Sequence, residues 1–112
     1  MSNASSRLLL EFNKLLRETN RNEIGAIVDQ LCLDDLKPVV ELVARARANY
    51  LKHAFKLAGT HRDGTLPSED ELAVLRKHRA VFHDLLEASQ AFETAIQRGY
   101  LDVQPRQDRR GD

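Results

Sequence analysis

At 112 residues, 42% of them hydrophobic, the chain suits one domain whose core needs neither a disulfide nor a structural metal. Seventeen basic and seventeen acidic side chains cancel, so whole-chain charge gives no reason to expect a nucleic acid or an acidic membrane as partner. A lone cysteine, Cys32, excludes an intrachain disulfide, and no apolar run approaches the roughly 18–20 residues that a membrane span requires.

Glycine and proline punctuate the chain, mostly at places that read as helix ends. The first helix is expected over about Ser6–Glu18, with Ser5 or Ser6 accepting from the free N–H groups of its first turn. Leu8, Leu9, Phe12, Leu15 and Leu16 then share one face at helical spacing. Thr19-Asn20-Arg21-Asn22 interrupts that pattern, and Asn20 with Glu23 resembles a capping box that opens a second helix, about Arg21–Cys32. Ile24, Ile27, Val28 and Leu31 lie on one side of it. Gly25 inside it marks either the close approach of another helix or a neutral surface position, at a cost of about 1 kcal/mol relative to Ala. Cys32 sits in an apolar stretch and reads as a small buried hydrophobe rather than a reactive thiol.

Asp34 or Asp35 begins the third helix, with Pro38 near its first turn, and whether the second helix runs on into it stays open. From Val39 there is no breaker until Gly59, a natural left-handed end. Its core stripe is Val39, Val43, Ala46, Tyr50, Ala54 and Leu57, flanked by Val40, Ala44, Leu51 and Ala58. The clearest loop is residues 60–67. Ser68-Glu69-Asp70-Glu71 then opens the last helix with a capping box and three acids that complement the helix dipole. That helix is expected from Glu69 to Arg98, closing at Gly99, with Tyr100 and Leu101 folding back onto it. Val74, Val81, Leu85, Phe92 and Ile96 form its broad apolar face, widened by Leu75, Phe82 and Leu86, with His78 near the centre.

The expected fold is all-α: a small bundle of about four helices built on a long antiparallel helical hairpin. A flexible N-terminus over 1–5, a single domain over 6–101 and a disordered tail over 102–112 complete the organisation. No β-strand pattern or internal repeat is visible. The Arg110-Gly111-Asp112 ending reads as chance in a chain without a secretion signal. Cysteine poverty and the absence of a basic-then-apolar leader together point to the cytoplasm.

Two surfaces stand out. If the hairpin pivots about Asp63-Gly64, then Arg47, Tyr50 and His78 fall within about one helical turn of each other, a polar constellation in an apolar wall. It reads first as structural, with Arg47 reaching solvent and His78 a satisfied core histidine. A register-fixing interface or a ligand or enzymatic site are its rivals, with Arg47 gripping an anion and His78 as the acid–base group. The second surface is a basic ridge. No acid occurs from Leu42 to Arg62, and Arg45, Lys52 and Lys56 line the outer face of the third helix, joined by Arg76 and Arg79. Such a ridge suits nucleic-acid phosphates, an acidic protein, or plain solvation.

The histidines lack the spacings of metal motifs, and there is no phosphate-binding glycine loop or hydrolase triad, so no catalytic residue, metal or cofactor is expected. The preferred expectation is a non-enzymatic interaction or regulatory module, a homodimer, with a nucleic-acid-binding accessory role as the first alternative and the Arg47–Tyr50–His78 site as the second.

Overall fold

The computed structural model describes residues 3–28 and 30–105. It is mostly helical and all-α in class, with three helices rather than about four: α1 (Asn3–Ile27), α2 (Leu33–Thr60) and α3 (Glu69–Gln97). Two-residue strands, β1 (Leu31–Cys32) and β2 (Val103–Gln104), pair in parallel, Leu31 opposite Val103 and Cys32 opposite Gln104. The chain divides into two compact units, Met1–Leu36 with Ala91–Asp112, and Lys37–Gln90.

In the first unit, the expected break at Thr19–Asn22 does not occur, and α1 runs through it. Nothing in those four residues forbids a helix. The Asn20 amide, expected as a cap, instead donates to the Leu16 carbonyl one turn back, at 2.9 Å. Residues 3–5, expected as flexible, belong to the helix. An ideal Cβ on Gly25 would meet nothing within 4 Å, so of its two readings the open surface position holds.

Cys32 is buried at 2% exposure, as expected of a small hydrophobe. Its backbone N–H donates to Asp35 Oδ2 at 2.9 Å, one arm of a capping box that starts α2. At the other end of the unit, α3 closes as its sequence suggests. Gly99 takes φ 75°, its N–H donates to Ile96 O at 3.1 Å, and the Tyr100 N–H reaches Ala95 O at 2.8 Å. These are the two bonds of a Schellman closure. Leu101 is thereby turned inward and buried. Residues 102–105, expected to begin a disordered tail, carry β2. Residues 106–112, including Arg110-Gly111-Asp112, lie outside the described residues.

Arg21 ties α1 to this C-terminal segment. Its guanidinium donates twice to Asp102, at 2.8 and 3.2 Å, and once to the Gly99 carbonyl at 2.6 Å. These bonds, more than the guanidinium's charge, hold the Asp102 carboxyl below the usual aspartate range.

In the second unit, the inner stripe of α2 is the expected one. Val43 and Ala46 are buried, and Val39, Tyr50, Ala54 and Leu57 are half-buried. Pro38 lies inside the helix and forgoes one amide bond, to the Asp34 carbonyl. The flank Val40, Ala44 and Leu51 is exposed. The helix does not end at Gly59, whose φ is not positive. It continues to Thr60, and the His61 N–H is shared between the Leu57 and Ala58 carbonyls at 3.2 and 3.3 Å. The left-handed residue is Gly64, at φ 92°.

Contacts of α2 and the turn that follows it with α3 run in antiparallel order: Tyr50 with Phe82, His53 with His78, and His61 with Glu71. All three pairs centre close to Thr65–Leu66, two residues beyond the expected pivot. The inward face of α3 is also rotated from expectation. Leu75, His78, Phe82, Leu85 and Leu86 are half-buried, whereas Val74 and Val81 are exposed on the flank.

Candidate functional site

The turn between α2 and α3 is held by a continuous polar network. Ser68 and Glu71 cap α3 reciprocally: the Glu71 N–H donates to Ser68 Oγ at 3.1 Å and the Ser68 N–H to Glu71 Oε1 at 2.8 Å. The same carboxylate oxygen lies 3.0 Å from His61 Nε2. On the other side of the ring, Nδ1 lies 2.8 Å from Thr65 Oγ1, and Thr65 gives both its hydroxyl and its N–H to Asp63 Oδ1, at 2.6 and 3.1 Å.

The Thr65 hydroxyl has one hydrogen, and in this arrangement it goes to Asp63. Both carboxyls are held below their usual range. For Asp63 the chief cause is the Thr65 hydroxyl, then the Thr65 N–H; for Glu71 it is the Ser68 N–H, then His61.

The expected constellation of Arg47, Tyr50 and His78 separates into two pairings. Arg47 and Tyr50 meet on Phe82: the guanidinium carbon stands 5.0 Å from the ring centre and the Tyr50 ring stacks at 6.0 Å. Arg47 is exposed, so its charge stays hydrated while its carbon stem covers apolar surface. His78 instead stacks on His53, with ring centres 4.8 Å apart and planes 30° apart. The displaced pivot explains this: moving the turn two residues along brings His78 level with a residue nearly one helical turn further along α2. His53 carried no signal of a pairing beyond its place between Lys52 and Lys56.

Of the basic ridge, Arg45, Lys52, Lys56, Arg76 and Arg79 are all exposed. Arg76 is taken up by Glu69, two turns before it on α3. The other four join no ion pair among the described residues. Also among the described residues, no three His, Cys, Asp or Glu side chains converge as a metal site, and no helix is long and apolar enough to cross a membrane.

The first unit carries a different feature. None of the 25 residues of α1 is buried, although Leu8, Leu9, Phe12, Leu15 and Leu16 form one stripe. Leu8 is 68% exposed, and Phe12 56%. Leu16, at the edge of that stripe, also lines an open cleft of about 490 Å³ with Leu10, Asn13, Lys14, Arg17, Arg98 and Tyr100. The Arg17 stem lies over Gly99, where a Cβ would stand 3.4 Å from Arg17 Cδ.

Compared with known proteins, the chain matches no family model, no curated protein and no solved structure. The functional reading therefore rests on these surfaces.

Proposed function

We propose that this chain is a non-enzymatic interaction or regulatory module, built on its helical hairpin, that associates with a second copy of itself. The observation that carries the reading is the unpartnered stripe of α1: five large apolar side chains on one face of a helix with no buried residue. An apolar row of that length is normally covered, and an identical helix is a ready partner because a two-fold axis makes one stripe complement itself. The second unit repeats the pattern on α2, where Val40, Leu51 and Phe55 form an exposed stripe and Phe55 is 83% exposed. A cytoplasmic site of action accords with the single buried cysteine.

Native mass by light scattering after gel filtration, across a wide range of protein concentrations, tests the proposal. The expected result is a species near twice the chain mass of 12.7 kDa. A chain that stays monomeric at the highest concentration would overturn it.

A second reading, a nucleic-acid-binding accessory protein, is favoured by one observation. Arg45, Lys52 and Lys56 stand on an acid-free stretch of α2 and join no ion pair among the described residues. It requires binding that weakens steeply with salt and is lost when the three become Glu.

A further inference from the structure

Asn49, Lys52, His53 and Lys56 follow one another at three- and four-residue spacings, so α2 presents them as one stripe. That stripe lies on the side of the helix away from Val40, Leu51 and Phe55. With His78 of α3 it lines a cleft of about 230 Å³. Every polar side chain in this lining can donate a hydrogen bond: two ammonium groups, one amide and two imidazoles, with no carboxylate among them. Glu71 lines the adjoining cleft together with His53 and Lys56, but its carboxylate is engaged by the Ser68 N–H and His61.

The ring geometry narrows the ligand. The stacked imidazoles bring their faces together, with ring centres 4.8 Å apart and planes 30° apart. Face-to-face rings are poorly arranged for the in-plane lone pairs to meet at the roughly 2.0–2.1 Å that a shared zinc ion demands. Each imidazole carries an N–H that can serve an anion in the cleft that both rings line with the two lysines. Positive charge gathered on so small a perimeter repels itself, and a compact anion with several acceptor oxygens relieves that repulsion. The cleft is smaller than the roughly 300–1,000 Å³ of pockets that enclose drug-sized ligands. It has room for one or two phosphate groups.

From this geometry we infer that the cleft of Asn49, Lys52, His53, Lys56 and His78 is a binding site for a small phosphate dianion. Lys52 and Lys56 supply charge, Asn49 a directional N–H, and the stacked histidines a rigid wall. The inference is independent of self-association: a monomer could carry the site, and a dimer could lack it.

The test is side-chain NMR of the histidines in the intact chain, titrated with inorganic phosphate and then pyrophosphate, with ionic strength balanced by chloride. Imidazole ring signals report nearby charge sensitively, and a buffer above neutrality keeps inorganic phosphate largely dianionic. The His53 and His78 signals are expected to move together and saturate, while those of His61 and His83 stay in place. Lys52→Gln and Lys56→Gln, both at exposed positions where the fold is spared, each weaken binding by about tenfold, since each removes one charge-assisted contact. Arg45→Gln, on the same helix but outside the cleft, changes it by less than about twofold. No saturable shift below about 10 mM phosphate overturns the inference, because an affinity weaker than that is non-specific. So does an equal effect of Arg45→Gln and Lys56→Gln, which would mark general charge screening. A short oligonucleotide without a terminal phosphate that moves the same signals when phosphate does not would reassign the surface to nucleic acid and overturn it too.

Discussion

Phe12 offers the sharpest probe of the α1 stripe. Burying a phenylalanine side chain completely stabilises by about 1.5–3 kcal/mol. Phe12 is 56% exposed in the single chain, which leaves a little over half of that to be gained on association. Each protomer then gains roughly 1–1.5 kcal/mol from this residue and a two-fold interface roughly 2–3 kcal/mol, because both copies contribute. Since 1.4 kcal/mol is a factor of ten, Phe12→Ala is expected to raise the dimer dissociation constant roughly 30- to 150-fold. Sedimentation equilibrium at several loading concentrations measures that constant directly. Leu10→Ala is the matched control. Leu10 is 70% exposed and equally apolar, but it projects from the other side of the helix, so the expected change is below about twofold. Equal shifts for the two variants, or no shift for Phe12→Ala in a dimer that still forms, would refute the assignment of this stripe to the interface.

Two glycines near helix ends should respond with opposite signs. Gly59 is helical with open space around its Cβ position, so Gly59→Ala is expected to stabilise by about 0.5–1 kcal/mol; Gly99→Ala must hold a left-handed conformation and should cost about 1–2 kcal/mol. Urea melts at one fixed protein concentration decide it, and a loss of stability at Gly59 would mean that the helix does end there. Ser68→Ala removes the acceptor of the Glu71 N–H at the start of α3 and should cost about 1 kcal/mol in the same melts; an unchanged midpoint would deny the cap its role. The third response is to acid. Asp63, Glu71 and Asp102 are held below their usual range, so the unfolded chain takes up protons at a higher pH than the folded one. Their stabilisation is fully present above the ordinary carboxylate range and is lost as pH falls through the lowered values. Arg21→Gln should therefore lower the melting temperature most at neutral pH, with its deficit against the natural chain shrinking as acid protonates Asp102. A deficit that stays constant down to about pH 3 would separate Arg21 from Asp102.

Much of the local architecture was legible because its causes span only a few residues. The Ser68–Glu71 box, the glycine closure at Gly99 and the inward stripe Val39–Val43–Ala46–Tyr50–Ala54–Leu57 all follow from bonds or faces separated by one helical turn, and short-range geometry is written in the order of the residues. The same local reasoning failed where one residue had two ways to be satisfied. Asn20 could cap a new helix or bond back to Leu16, and Gly59 could end a helix or pass through one. Neither choice is visible without the neighbours.

The candidate sites depended on longer distances. Whether His78 meets Tyr50 or His53 is decided by where the turn pivots. The network of His61, Asp63, Thr65 and Glu71 sets that pivot through bonds made only once α2 and α3 lie side by side. The pairing of Leu31–Cys32 with Val103–Gln104 joins residues about seventy positions apart through backbone groups, which carry no mark in two-residue strands of ordinary composition. Helical class, the start of α3 and the inward stripe of α2 were thus determined by the sequence itself, through interactions that close within a turn. The register between helices, the rotation of the inward face of α3 and the assembly of the histidine–lysine cleft were decided by tertiary structure, because each depends on packing and hydrogen bonds between segments that meet only in the folded chain.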